Sequence, residues 1–65
     1  MQTLIDIQTA TRAARCRLED EAIATRAEAG KIQVVRVNYA DGNAEVAPIS
    51  QWMPVSQVVG YLNAL

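Results

Sequence analysis

The sequence predicts an α+β fold: a long N-terminal helix, a β-hairpin and a short C-terminal helix, in a single domain over residues 1–65. Three observations carry this. Asp41-Gly42 stands between Val34, Val35, Val37 and Tyr39 on one side and Ala44, Val46, Ala47 and Ile49 on the other. A type I′ turn needs φ > 0 at both central residues, and Asp-Gly between β-branched runs meets that need. Leu4, Ile7, Thr11, Ala14 and Leu18 recur at alternating spacings of three and four, the period of one helix face. Near the C-terminus Val55, Val58, Val59 and Leu62 form a second apolar stripe.

The first helix is expected within residues 3–29. Thr3 and Asp6 have the spacing of a capping box, with Asp in place of Glu or Gln. Ala10, Ala13, Ala14, Ala22, Ala24 and Ala27 add helix propensity, and Gly30 suits the left-handed position just past a helix end. An unbroken helix of this length would run ~40 Å, longer than the hairpin it covers. It therefore either projects beyond the sheet or breaks near Glu19-Asp20. Arg15–Glu19 and Arg17–Glu21 have i,i+4 spacing, each pair adding about 0.3 kcal/mol on a helix surface. This charged stretch reads either as a solvated face or as a patch that meets opposite charge on a neighbouring subunit.

The hairpin is expected near residues 31–39 and 44–49. A two-residue loop sets Tyr39 opposite Ala44, Val37 opposite Val46 and Val35 opposite Pro48. That register gathers Val35, Val37, Tyr39, Ala44 and Val46 on one face, the expected core face, and leaves Arg36, Asn38 and Glu45 on a wetter one. Pro48 has no N–H, so its strand lies at an edge or ends there. Trp52-Met53-Pro54 is a loop cluster, read either as a lid over the core or as an interface anchor. Ser56 is the expected N-cap of the last helix, near residues 55–64. Gly60 inside it marks a close approach to the sheet or a frayed end.

Composition excludes several classes of function. With six Lys and Arg against seven Asp and Glu, the net charge is −1, without the basic surplus of a nucleic-acid binder. Cys16 is the sole cysteine, so no internal disulfide forms. Met1-Gln2-Thr3-Leu4 has no basic region followed by an apolar run, and no apolar run approaches the ~18 residues of a membrane span. There is no histidine to serve as general base or metal ligand. Cys16 lacks a His partner, Ser50 and Ser56 lack a nucleophile elbow, and Glu19-Asp20-Glu21 splay around a helix instead of converging. The glycines are too scattered to cradle a phosphate. The expectation is a protein that is not an enzyme, with no catalytic, cofactor-binding or metal-binding residues, no cofactor and no small-molecule substrate.

The N-terminal pattern Met1-x-Thr3-Leu4-x-x-Ile7-Gln8 with Arg12-Ala13-x-Arg15 resembles the first helix of the baseplate assembly (spike) protein V family of contractile-tailed phages. Gly30-x-Ile32, Asn38-Tyr39-Ala40-Asp41-Gly42, Val46 and Trp52-Met53-Pro54 are similar to the strand, turn and Trp-apolar-Pro element through which that family enters an OB-fold. Residues 19–29 depart from the pattern as an insertion, and the chain stops before the later OB strands. Helix–hairpin–helix order, Gly30-Lys31, Asp41-Gly42 and the ending Val55-Ser56-x-x-x-x-Tyr61-Leu62-x-x-Leu65 resemble a second family, the W-type head–tail joining proteins of lambda-like phages, in which a chain of this length is complete. In this family the first helix and hairpin would be shorter.

Both resemblances imply a non-enzymatic virion structural or morphogenesis protein, assembled in the bacterial host cytoplasm. In the first it is a repeated subunit of the tail baseplate and spike region; in the second it completes the head–tail connector. A different class stays open, a small phage-encoded inhibitor or regulator binding one host protein. The chain is 51% hydrophobic, and three thin elements enclose only part of that surface, so a second copy or a neighbouring phage structural protein is the expected partner. Leu4, Ile7 and Leu18 of the helix seam, with Trp52 and Met53, are the expected interface residues.

Overall fold

The computed structural model describes residues 3–65 of the chain; Met1, part of the V-like motif, lies outside them. Helix α1 spans Leu4–Leu18 and strands follow as β1 (Ile23–Glu28), β2 (Lys31–Ala40), β3 (Asn43–Pro48) and β4 (Met53–Pro54), before helix α2 (Val55–Ala64). The architecture is α+β, with an antiparallel sheet ordered β1-β2-β3 and β4 paired to the start of β2.

The expected capping box starts α1. The Asp6 amide donates to Thr3 Oγ1 at 3.2 Å, and the Thr3 amide donates to Asp6 Oδ2 at 2.9 Å. The helix stops at the break anticipated near Glu19. Glu19 adopts φ 53°, and its N–H returns to the carbonyls of Arg15 and Cys16. Asp20 then fixes the exit, accepting the Ala22 amide at 3.0 Å on one carboxylate oxygen and the Arg36 guanidinium on the other.

Residues 23–28 were expected to be helical and are a strand. Ala24 and Ala27 favour helix, but pairing along β2 from Ile23↔Arg36 to Glu28↔Lys31 overrides that preference. Gly30 is correspondingly not a helix cap. It has the left-handed φ expected of it (77°), as second residue of a two-residue turn behind Ala29 at φ 53°. The Asp41-Gly42 turn has φ 53° and 79°, as type I′ requires. Its register is the expected one, with Tyr39↔Ala44, Val37↔Val46 and Val35↔Pro48.

The core lies on the opposite face from the one expected. Ile23, Ile32, Val34 and Met53 point to the helices and pack with Ile7, Ala10, Ala14, Val58 and Leu62. Val35 is buried on the reverse face of the sheet, but Tyr39 and Val46 are exposed there. The i,i+4 pairs are absent because Glu19 and Glu21 follow the end of the helix. Arg15 Nε instead donates to the Ile23 carbonyl at 2.6 Å. Arg17 reaches the carbonyls of Leu62 (Nη2, 2.7 Å) and Leu65 (Nε, 3.2 Å) at the end of α2.

Helix α2 has the expected bounds, but Pro54 and not Ser56 occupies its N-cap, with no side-chain cap bond. Gly60 is exposed, and a Cβ there would meet nothing within 4 Å, so it marks no close approach. No helix among the described residues is long and apolar enough to cross a membrane.

Candidate interaction surface

Element lengths leave one end of the sheet uncovered. Ten residues of β2 extend ~33 Å, whereas the fifteen of α1 and the ten of α2 reach only ~22 and ~15 Å. Helix α1 sits over β1 and helix α2 over β2 and β4, and among the described residues β3 packs on β2 alone. Every residue of β3 is exposed. The outer half of the β2–β3 hairpin is therefore an arm standing beyond the helices.

One face of the arm is apolar: Val37 and Tyr39 on β2, with Val46 and Ala44 opposite them on β3. Tyr39 is 81% exposed and Val46 46%. The face continues inward through Val35, Pro48 and Ala24, which share one cross-strand row. It ends in a polar cluster around Gln33, which is buried and hydrogen-bonded through both its amide nitrogen and its carbonyl oxygen. Its amide donates to the Ser50 carbonyl at 2.9 Å, and its carbonyl oxygen accepts Arg26 Nε at 2.8 Å. Ser50 Oγ also accepts the Val34 amide at 3.0 Å, holding the Ile49–Trp52 loop against the sheet edge. Since Met53 faces the helices opposite Ile32, Trp52 falls to the other side, where the Arg26 guanidinium stacks 5.1 Å from its ring centre.

The five expected interface residues divide. Ile7 (4% exposed) and Met53 (9%) lie in the core of the subunit itself, Met53 on strand β4 paired with Ile32 and not in the loop expected for its cluster. Leu4 and Leu18 end the α1 stripe and are exposed, and Trp52 is half-buried beneath Arg26. Sequence reasoning missed Ile5, which is exposed, and it assigned Tyr39 and Val46 to the core face. The bare end was hidden because an unbroken first helix would have been longer than the hairpin; α1 stops at Leu18, and that leaves the end uncovered.

Two shallow grooves lie among the described residues. One between α1 and β1 is lined by Gln8, Thr11, Arg12, Arg15, Ala24 and Thr25. Another lies beside Trp52, between Glu28 and Lys31. Among the described residues no three His, Cys, Asp or Glu side chains converge as a metal site would require. No protein-family model, curated protein or solved structure matches this chain.

Proposed function

We propose that the chain is a non-enzymatic structural subunit of a phage particle, present in repeated copies in the tail baseplate and spike region. The arm carries this reading. Tyr39, Val46, Val37 and Ala44 form an apolar face that the subunit's own helices do not reach, while its small core is already closed. Contiguous apolar surface of this kind marks a site of protein association. The resemblance of residues 1–18 and 30–54 to the V family supplies the particle and the region. A second reading, head–tail joining, draws support from the observed element order, two helices packed together on one face of a strand meander.

Native mass spectrometry of the protein alone, with detection of the chain in purified particles, tests the proposal. Several copies per particle and self-association in solution are the expected results. A monomer that is absent from particles and captures a single host protein would replace the proposal with the inhibitor reading.

A further inference from the structure

We infer that β3 is a docking edge for a second copy of this chain, and that two subunits join β3 to β3 antiparallel about a two-fold axis at Val46. The inference rests on the repeated-subunit reading and names the surface that would serve it. The Ile49 amide donates to the Val34 carbonyl at 2.8 Å, which sets the alternation of the ladder. Asn43, Glu45 and Ala47 therefore bond to β2, while Ala44, Val46 and Pro48 turn their backbone groups outward. Pro48 thus sits where its missing N–H costs no internal bond, and its carbonyl still accepts.

The other edge of the sheet is guarded. Arg15 occupies the outward carbonyl of Ile23, and α1 packs along β1. Nothing comparable covers β3 among the described residues. The natural occupant of an open strand edge is another strand.

Side-chain rows select a second β3, and repulsion between like charges helps fix its register. With Val46 opposite Val46 of the second copy, Val46 exchanges both of its backbone bonds with its counterpart. Ala44 of each copy donates to Pro48 of the other. On the open face the rows then read Val37–Val46–Val46–Val37 and, twice, Tyr39–Ala44–Pro48–Val35, apolar throughout. On the helix side Glu45 stands opposite Ala47, with Arg36 of the second copy next in the row. That arginine is already held by Asp20, so Glu45 meets a small alanine and gains no ion pair across the joint. A slip that sets Glu45 against Glu45 opposes two like charges, which disfavours it.

The test uses the full chain. In a mixture of labelled and unlabelled protein at millimolar concentration, isotope-filtered NMR is expected to show Hα–Hα contact between Glu45 of one copy and Ala47 of the other. Total synthesis with ligation at Cys16 allows a single N-methyl group on the Val46 amide. That change removes an outward donor from each copy and leaves every β2–β3 bond in place, so the dimer dissociation constant should rise about tenfold or more with the hairpin intact. A protein that stays monomeric at millimolar concentration overturns the inference, and its absence from particles would overturn the repeated-subunit reading as well. Oligomers whose filtered contacts lie elsewhere, or that tolerate the N-methyl group, overturn the β3 inference alone.

Discussion

Arg17 joins the two helices, and its removal gives a measurement with a defined size. Its guanidinium donates to the carbonyls of Leu62 and Leu65 at the C-terminal end of α2, the first of which also accepts the Leu65 amide at 3.3 Å. A cation at a helix C-terminus contributes about 0.3–1 kcal/mol. The shorter bond, to Leu62, is partly buried and adds a charge-assisted contact; allowing for solvent around the longer one, the total is about 1–2 kcal/mol. A domain of this length has a stability of about 3–10 kcal/mol, so the loss is a substantial share. Arg17→Met keeps an apolar stem and removes both bonds. Thermal unfolding followed by circular dichroism, at one fixed protein concentration, should show the midpoint falling by about 5–10 °C. Glu21→Gln should stay within about 0.5 kcal/mol of the parent, since Arg17 does not pair with it in the fold. A double-mutant cycle between Arg17 and Glu21 should show no coupling. Equal losses from the two single variants, or coupling between them, would refute the reasoning and restore the helical ion pair.

Other perturbations have equally definite outcomes. Ala29 holds φ 53° without the side chain that usually tolerates it, so Ala29→Asn should raise stability by about 0.5–1 kcal/mol in urea unfolding. Gly60 is exposed inside α2 with open space around it, so Gly60→Ala should stabilise by up to about 1 kcal/mol, read as a higher melting point. Hydrogen bonds from the Arg36 guanidinium, and then from the Ala22 amide, hold the Asp20 carboxyl below its ordinary value; those from the Thr3 amide and hydroxyl do the same for Asp6. With folded values below the unfolded ones, the stability these groups add is present above the ordinary carboxylate range and is lost as pH falls through the folded values. An acid titration of the unfolding midpoint should show that loss, and Asp20→Asn should shrink it. Trp52→Ala should weaken association more than folding, because Trp52 faces the open side of the sheet under Arg26 instead of the core; equal loss of both, by sedimentation and melting, would place it in the core.

The parts of the fold that were legible in sequence are those set by a few local residues. Thr3 with Asp6, Asp41 with Gly42, and the Val55–Leu62 stripe each specify their structure within a turn or two, and each is present. The misreadings share a different cause. β1 carries alanines and charges with no apolar alternation, so only its partner β2 makes it a strand. The first hairpin turn escaped notice because Ala-Gly lacks the Asn or Asp that usually announces type I′. These two errors produced a third. With residues 19–29 taken as helix, the missing strand could not claim Val34 and Ile32, and the larger apolar set of Val35, Val37 and Val46 looked like the core.

In the fold that assignment reverses: the helices take the face with Ile23, Ile32 and Val34, and on the other face Val35 stays buried while Tyr39 and Val46 are left open on the arm. A β-hairpin that is apolar on one side and polar on the other does not reveal which side its own chain will cover. The choice lies with distant residues, here Ile7, Ala14, Val58 and Leu62. The same reversal moved the candidate interface. Residues read as seam and anchor, Ile7 and Met53, are needed inside the subunit, and a face read as its interior, Val37, Tyr39 and Val46, is free for another chain. The physical premise behind the association proposal, more apolar surface than one small core can enclose, does not depend on which face is which. Its location depends wholly on the strand that sequence could not show.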